Sequence, residues 1–183
     1  MRLAAAVIAG AFLLAPVSAR AQNKQPDKPE IVKLTVKGVH VVKLDELLQS
    51  ISTSQSSCNG FILKPVCWIT KSHIVYSRQY LDHEELKRDV LRMRVFYWKR
   101  GYRDAEVDTA VVQESPHKVA VTLTVREGAP TMVSKVVVNQ ATPLLKDKEI
   151  AKRVVLGANS PLNLIRLDSS RVFLEQSLWD KGY

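Results

Sequence analysis

The sequence predicts an α+β protein of two consecutive β-α-α-β-β units, the second stopping before its last two strands. Three observations predict this. Apolar residues switch between a period of two and a period near 3.6 in that order. The order then begins again after a short Gly-Pro hinge. Finally, the end of one helix, Trp98 to Tyr102, returns as Trp179 to Tyr183. A three-stranded sheet with one face covered by two helices buries all five apolar stripes of a unit at once.

The chain opens with Arg2, an apolar run from Leu3 to Val17, and small residues at Ala19 and Ala21. This is the layout of a secretory signal over residues 1–21, cleaved before Gln22. The run is about 15 residues, short of the roughly 20 that span a bilayer as a helix; a retained N-terminal anchor is the competing reading. Cleavage leaves 162 of the 183 residues, enough for one ordinary domain or two small ones. Arg2 and Arg20 depart with the leader, so the formal charge of +9 falls to +7. A basic balance suits anionic head groups, acidic partners or nucleic acid. For an exported chain nucleic acid fits least, and no nucleic-acid partner is expected.

Residues 22–30 (QNKQPDKPE) form a polar linker with two prolines. From Ile31 to Lys37, Val32, Leu34 and Val36 alternate with Lys33, Thr35 and Lys37, the pattern of a half-buried strand ended by Gly38. Leu44, Leu47, Leu48 and Ile51 then follow one stripe of a short helix. A second helix is expected from about Leu81 to Lys99, with Asp82 as N-cap, Glu85 as its capping-box partner, and Leu86, Val90, Met93 and Tyr97 as the buried stripe. Arg100-Gly101 closes it. Ala105, Val107, Thr109 and Val111 alternate with Glu106 and Asp108. Beyond the turn at Glu114 to His117, Val119, Val121, Leu123 and Val125 alternate with polar or small residues. Two such runs around a proline turn make a hairpin.

Between the helices lies an irregular insertion at about residues 52–72, containing Cys58 and Cys67. In an oxidising compartment so close a pair reads as a local disulfide, worth about 2–3 kcal/mol by chain entropy. Two free thiols are the first alternative. A metal site would have only His73 to add.

After the hinge Arg126-Glu127-Gly128-Ala129-Pro130, a strand is expected at Ser134 to Asn139, a helix from about Asp147 to Val155, and another from Asn163 to Lys181. Laying Trp179-Asp180-Lys181-Gly182-Tyr183 on Trp98-Lys99-Arg100-Gly101-Tyr102 also places Leu162 on Leu81 and Leu167 on Leu86. The first strands are about 20 residues further apart than the second helices, which the insertion in the first unit accounts for. Units are therefore expected at 31–127 and 131–183, the second incomplete.

The β-α-α-β-β order, the W-x-x-G-Y helix endings and the Glu127-Gly128 hinge resemble the POTRA repeats of the BamA/TamA outer-membrane protein assembly factors. Gly157, Pro161, Leu162 and Asn163 fit the same family's step into helix two. The resemblance covers Ile31 to Tyr183, but not the insertion. It implies tandem POTRA modules with a mixed sheet, marked by Gly101, Tyr102, Gly182 and Tyr183. It further implies a periplasmic location attached to the outer membrane through a C-terminal β-barrel that is not among these residues. The implied work is binding, without cofactor or catalysis: guiding unfolded outer-membrane proteins and docking accessory subunits. Two-partner secretion transporters and division-scaffold proteins, which also carry POTRA modules, are the rivals.

In this fold the first hairpin strand lies at the sheet edge. Val107, Asp108, Thr109, Ala110 and Val111 are then the candidate client-binding strand, with Glu106 and Asp108 as possible charged protection. Arg88, Arg92 and Lys99 form a candidate basic face for anionic lipid or an acidic subunit, against the plain reading of a solvated helix face. Trp98, Tyr102, Trp179 and Tyr183 are expected to anchor each second helix on its sheet. His40, His73, His83 and His117 are scattered and compose no catalytic or metal-binding set. The mature protein, denatured without reductant, should show no reactive thiol, and two after reduction. Two thiols before reduction would exclude the Cys58–Cys67 disulfide.

Overall fold

The computed structural model describes residues 28–59 and 75–183. The leader at 1–21, most of the linker, and Cys67 with the middle of the insertion lie outside the described residues. Among the described residues the elements follow in the order β1 (Glu30–Lys37), α1 (Leu44–Leu48), β2 (Ser57–Cys58), β3 (Tyr76–Ser77), α2 (His83–Trp98), β4 (Glu106–Ser115), β5 (Lys118–Arg126), α3 (Asp147–Arg153) and α4 (Leu164–Trp179).

The main sheet is mixed, in the order β1-β5-β4. β5 pairs in parallel with β1 and antiparallel with β4. As the inner strand, β5 sends Val119, Val121, Leu123 and Val125 into the core, where they meet Ile31, Leu47, Leu81, Leu86, Met93 and Tyr97. Each such side chain contributes about 1.5–3 kcal/mol through removal from water. Gly38 ends β1 at φ +76°, with Val125 O 2.1 Å from where a Cβ would stand, so only glycine fits there.

A bulge between Ile31 and Lys33 reverses the expected inward set at the start of β1. Ile31 pairs with Val119 and Lys33 with Ala120, so Ile31 rather than Val32 is buried, while Leu34 and Val36 pack as expected. α1 is a single turn that buries only Leu47; Leu44 and Leu48 are exposed, because a helix this short turns one face inward. Asp82 caps α2 by accepting from the N–H groups of Glu84 and Glu85, but Glu85 turns its carboxylate to Arg88 and Arg92 instead of completing a capping box. Lys28 and the two capping N–H groups hold the Asp82 carboxyl down at about 2. The anchor of α2 is Tyr97, fully buried, rather than its neighbour Trp98, which is exposed beneath the Arg103 guanidinium.

Asp89 is one of the four buried residues of α2, with Leu86, Met93 and Tyr97, at a place where an apolar residue would be expected. Its carboxylate accepts from Ser52 N–H (2.9 Å) and Thr53 N–H (2.7 Å) and pairs with Arg92, so it ties α2 to the chain leaving α1. Burial alone pushes this carboxyl up. The hydrogen bonds from Thr53 and Ser52 and the bond from Arg92 outweigh it, leaving the carboxyl below its ordinary value.

The strand expected at 134–139 is not formed. All three strands of the main sheet come from residues 30–126, so among the described residues no strand lies beside 134–139 to make a ladder. Just before this stretch, Met132 makes an isolated bridge to Pro161. The two expected helices are present as α3 and α4.

Asp89→Asn should lower the denaturation midpoint at neutral pH by removing the charge that Arg92 and the two N–H groups face, at a cost of about 2–4 kcal/mol. Because Asp89 titrates lower folded than unfolded, its stabilisation is complete above about pH 4 and is lost as pH falls through the folded value. The variant should therefore lose less stability than wild type between neutral pH and about pH 2.5. Equal acid sensitivity of the two would contradict the assigned role.

Candidate functional site

The two edges of the sheet differ. The outer backbone of β1 is engaged: Leu34 N–H donates to Gln55 Oε1 (3.1 Å), Ile31 N–H to Gln79 O (2.8 Å), and Ile31 O accepts from Ser56 N–H (2.8 Å). Gln55 and Ser56 lie at the start of the insertion and Gln79 just past its end, and the β2–β3 pair joins the two sides. β4 has β5 on one side, and among the described residues no hydrogen bond reaches its outer side. Alternate N–H and C=O groups of an antiparallel edge strand point away from its neighbour.

The side chains of β4 divide the strand. Glu106 and Asp108 share Arg126 of β5, at 2.9 and 2.8 Å, so the charges at the start of the edge are bound to the adjacent strand. Thr109 to Gln113 carries no charge, with Val111 38% and Val112 59% exposed. Val107, Thr109 and Val111 face α2 across an open groove of about 750 Å³. Its far wall includes Leu86, Val90 and Leu91, and His83 and Lys87 stand at its polar end. Leu91, 58% exposed, opens the groove to solvent. All five residues expected in the client strand thus lie on this edge, with Asp108 at its charged end.

Of the groove wall, Leu86 and Val90 belong to the core stripe expected for α2, whereas Leu91 lies off it. Leu91, Val95 and Trp98 form a second apolar stripe at i, i+4 and i+7, and all three are exposed. That repeat was the available signal.

The candidate basic face is dispersed. Arg88 pairs with Glu85 at 3.0 Å, and Arg92 lies between Glu85 and Asp89. Arg92 and then Arg88 hold the Glu85 carboxyl below its ordinary value. Lys99 stands apart at the C-cap, where its carbonyl accepts from Leu164 N–H (2.8 Å).

The two helix endings match bond for bond. Gly101 (φ +96°) and Gly182 (φ +84°) reverse the chain. Tyr102 N–H bonds to Tyr97 O and Tyr183 N–H to Leu178 O, both at 3.1 Å. Gly101 has a further duty. Its carbonyl accepts from Thr131 N–H (2.7 Å), and a Cβ there would stand 2.8 Å from Leu162 N. The first ending is therefore the seat of the second unit's Pro161-Leu162-Asn163 step. Tyr102 stacks edge-on against Tyr97, whereas Trp179 and Tyr183 are exposed and anchor no sheet.

Among the described residues no three metal-ligating side chains converge, and no helix is long and apolar enough to cross a membrane.

No curated protein matches the chain. Among solved structures, the Haemophilus influenzae BamA POTRA3-5 crystal structure is 11% identical over 81% of this chain and 85% of that one, with a TM-score of 0.32. The N-terminal domain of Omp85 from the thermophilic cyanobacterium Thermosynechococcus elongatus is 19% identical over 85% of this chain and 56% of that one, with a TM-score of 0.35. The family itself is set by a family model, described as "POTRA: Surface antigen variable number repeat", which matches residues 29–128 and so more than half of the sequence. The chain belongs to the POTRA family.

Proposed function

We propose that this chain is the periplasmic POTRA region of an outer-membrane β-barrel assembly factor, and that it binds unfolded outer-membrane proteins by adding them as a strand to β4. The observation that carries this is the open β4 edge beside the α2 groove, uncharged from Thr109 to Gln113. Backbone pairing tolerates varied client sequences, and a groove beside the edge accepts every second client side chain. A strand of alternating apolar and polar residues, the repeating element of an outer-membrane barrel, would put its apolar side chains against Val111, Val90 and Leu91.

Residues 31–127 form the first module in this reading and 131–183 the second. Attachment to the outer membrane is assigned to a barrel outside these residues, and accessory subunits are assigned to the surface around Lys99. The role needs neither cofactor nor catalytic group. A Cys58–Cys67 disulfide would brace the insertion whose flanks cover the β1 edge, leaving β4 for clients.

Val111→Lys with Val112→Lys changes two exposed positions and should leave thermal stability within a few degrees of wild type. It should weaken binding of an extended barrel-strand peptide about tenfold, or about 1.4 kcal/mol, in a fluorescence titration. Unchanged affinity in the folded double variant would remove β4 as the client edge.

A further inference from the structure

Three cations from the two units converge on one recess. Lys43 stands just before α1, Arg100 just past the end of α2, and Arg166 in the first turn of α4. All three line an open cavity of about 390 Å³, with Val41 and Pro161 among its apolar walls. That volume falls within the range of small-ligand clefts, about 300–1,000 Å³.

The acid in this lining does not balance the cations. Glu46 lies 3.8 Å from Lys43 and 3.4 Å from Arg100, and among the described residues Arg166 has no acidic partner. Three positive charges therefore stand against one negative charge. Both distances to Glu46 exceed the optimum for a charge-assisted bond, about 2.7–2.9 Å, so donors on Lys43 and Arg100 remain available. Arg100 is held in place. Its Nη1 donates to Phe96 O at 3.1 Å, and its guanidinium lies 3.4 Å over the Phe96 ring. The backbone at the start of α4 contributes nothing to the recess. The N–H groups of Ile165 and Arg166 donate to Asn163, and that of Leu164 to Lys99 O. An occupant would meet ammonium and guanidinium groups.

We infer that this recess is a binding site for an acidic peptide segment, whose carboxylates bridge Lys43 and Arg100 of the first unit and Arg166 of the second. A guanidinium gives a carboxylate two parallel N–H bonds, and Val41 and Pro161 receive the apolar parts of the same segment. Cations set in a recess are reached by protruding side chains rather than by the flat surface of a bilayer. The junction beside the recess is closed by Leu164 N–H on Lys99 O (2.8 Å) and Thr131 N–H on Gly101 O (2.7 Å). An occupant that spans the two units would hold these bonds shut. The inference stands independently of strand addition at β4.

The test titrates the whole chain with a short labelled peptide of Glu-Pro repeats, whose prolines bar it from pairing with a strand edge. A Gln-Pro counterpart is the control. The Glu-Pro peptide should bind, and Arg166→Gln and Lys43→Gln, both at exposed positions, should each weaken it about fivefold at an unchanged thermal midpoint. Saturating peptide should slow amide exchange at Leu164 and Thr131 at least about threefold. Equal binding of the Gln-Pro peptide, or affinity that survives both substitutions, overturns the inference. Unchanged exchange at both amides with peptide bound also overturns it. So does Arg166-dependent binding to phosphatidylglycerol vesicles without peptide binding, which would make the recess a lipid site.

Discussion

The parallel pairing of β1 with β5 is the constraint from which the surface of the first unit follows. Parallel neighbours cannot be joined by a tight turn, so the chain must cross over the sheet between them, and α1 and α2 make that crossing. β4, paired antiparallel with β5 through a tight turn, is left at the edge. One carboxylate locks the arrangement where β5 ends. Glu127 Oε1 accepts from His40 N–H (2.8 Å), Val41 N–H (3.1 Å) and Tyr97 Oη–H (2.9 Å). It thereby joins the turn after β1, the buried anchor of α2 and the hinge to the second unit. Burial, then the bond to Glu127, pushes the Tyr97 phenol above its ordinary range, so it remains a donor at every physiological pH.

Two buried or half-buried acids therefore set the pose of α2 over the sheet: Asp89 near its middle and Glu127 against its C-terminal half. The groove width between α2 and β4 follows from that pose. Leu86 and Val107 close the bottom of the groove, and Leu91 and Val111 leave its mouth apolar and wet. An exposed apolar edge is a hazard that proteins ordinarily blunt with charge. Here the blunting charges, Glu106 and Asp108, are spent on Arg126 at one end, while β1 is covered by the flanks of the insertion. One edge of the sheet is thus covered, and the other is open among the described residues.

Most of the first unit was legible in the sequence because its strands alternate cleanly and α2 carries both a cap and a core stripe. What was not legible has physical reasons. A bulge is a backbone event, so nothing in the run Ile31 to Lys37 announces that Ile31 displaces Val32 inward. The burial of Asp89 depends on two N–H groups 36 and 37 residues away, beyond the reach of any local pattern. The β-branched run Val136 to Val138 favours a strand, yet a strand needs a partner, and none stands beside it among the described residues. At the candidate site the edge strand was legible through the family resemblance, whereas the groove was not. Leu91 lies off the core stripe, and its neighbours across the groove belong to a different element.

The helix-ending motif also gains a reason. Gly101 is required both by its φ and by the approach of Leu162, so the W-x-x-G-Y ending is at once the stop of α2 and the socket for the following unit. The most direct measurement of the central claim, that β4 is the open edge, is residue-resolved amide exchange of the free protein. Alternate amides of β4, those not bonded to β5, should exchange orders of magnitude faster than their bonded neighbours, while Leu34 in β1, held by Gln55, stays protected. Uniform protection along Val107 to Val111 would mean that the edge is already covered, and would contradict the account.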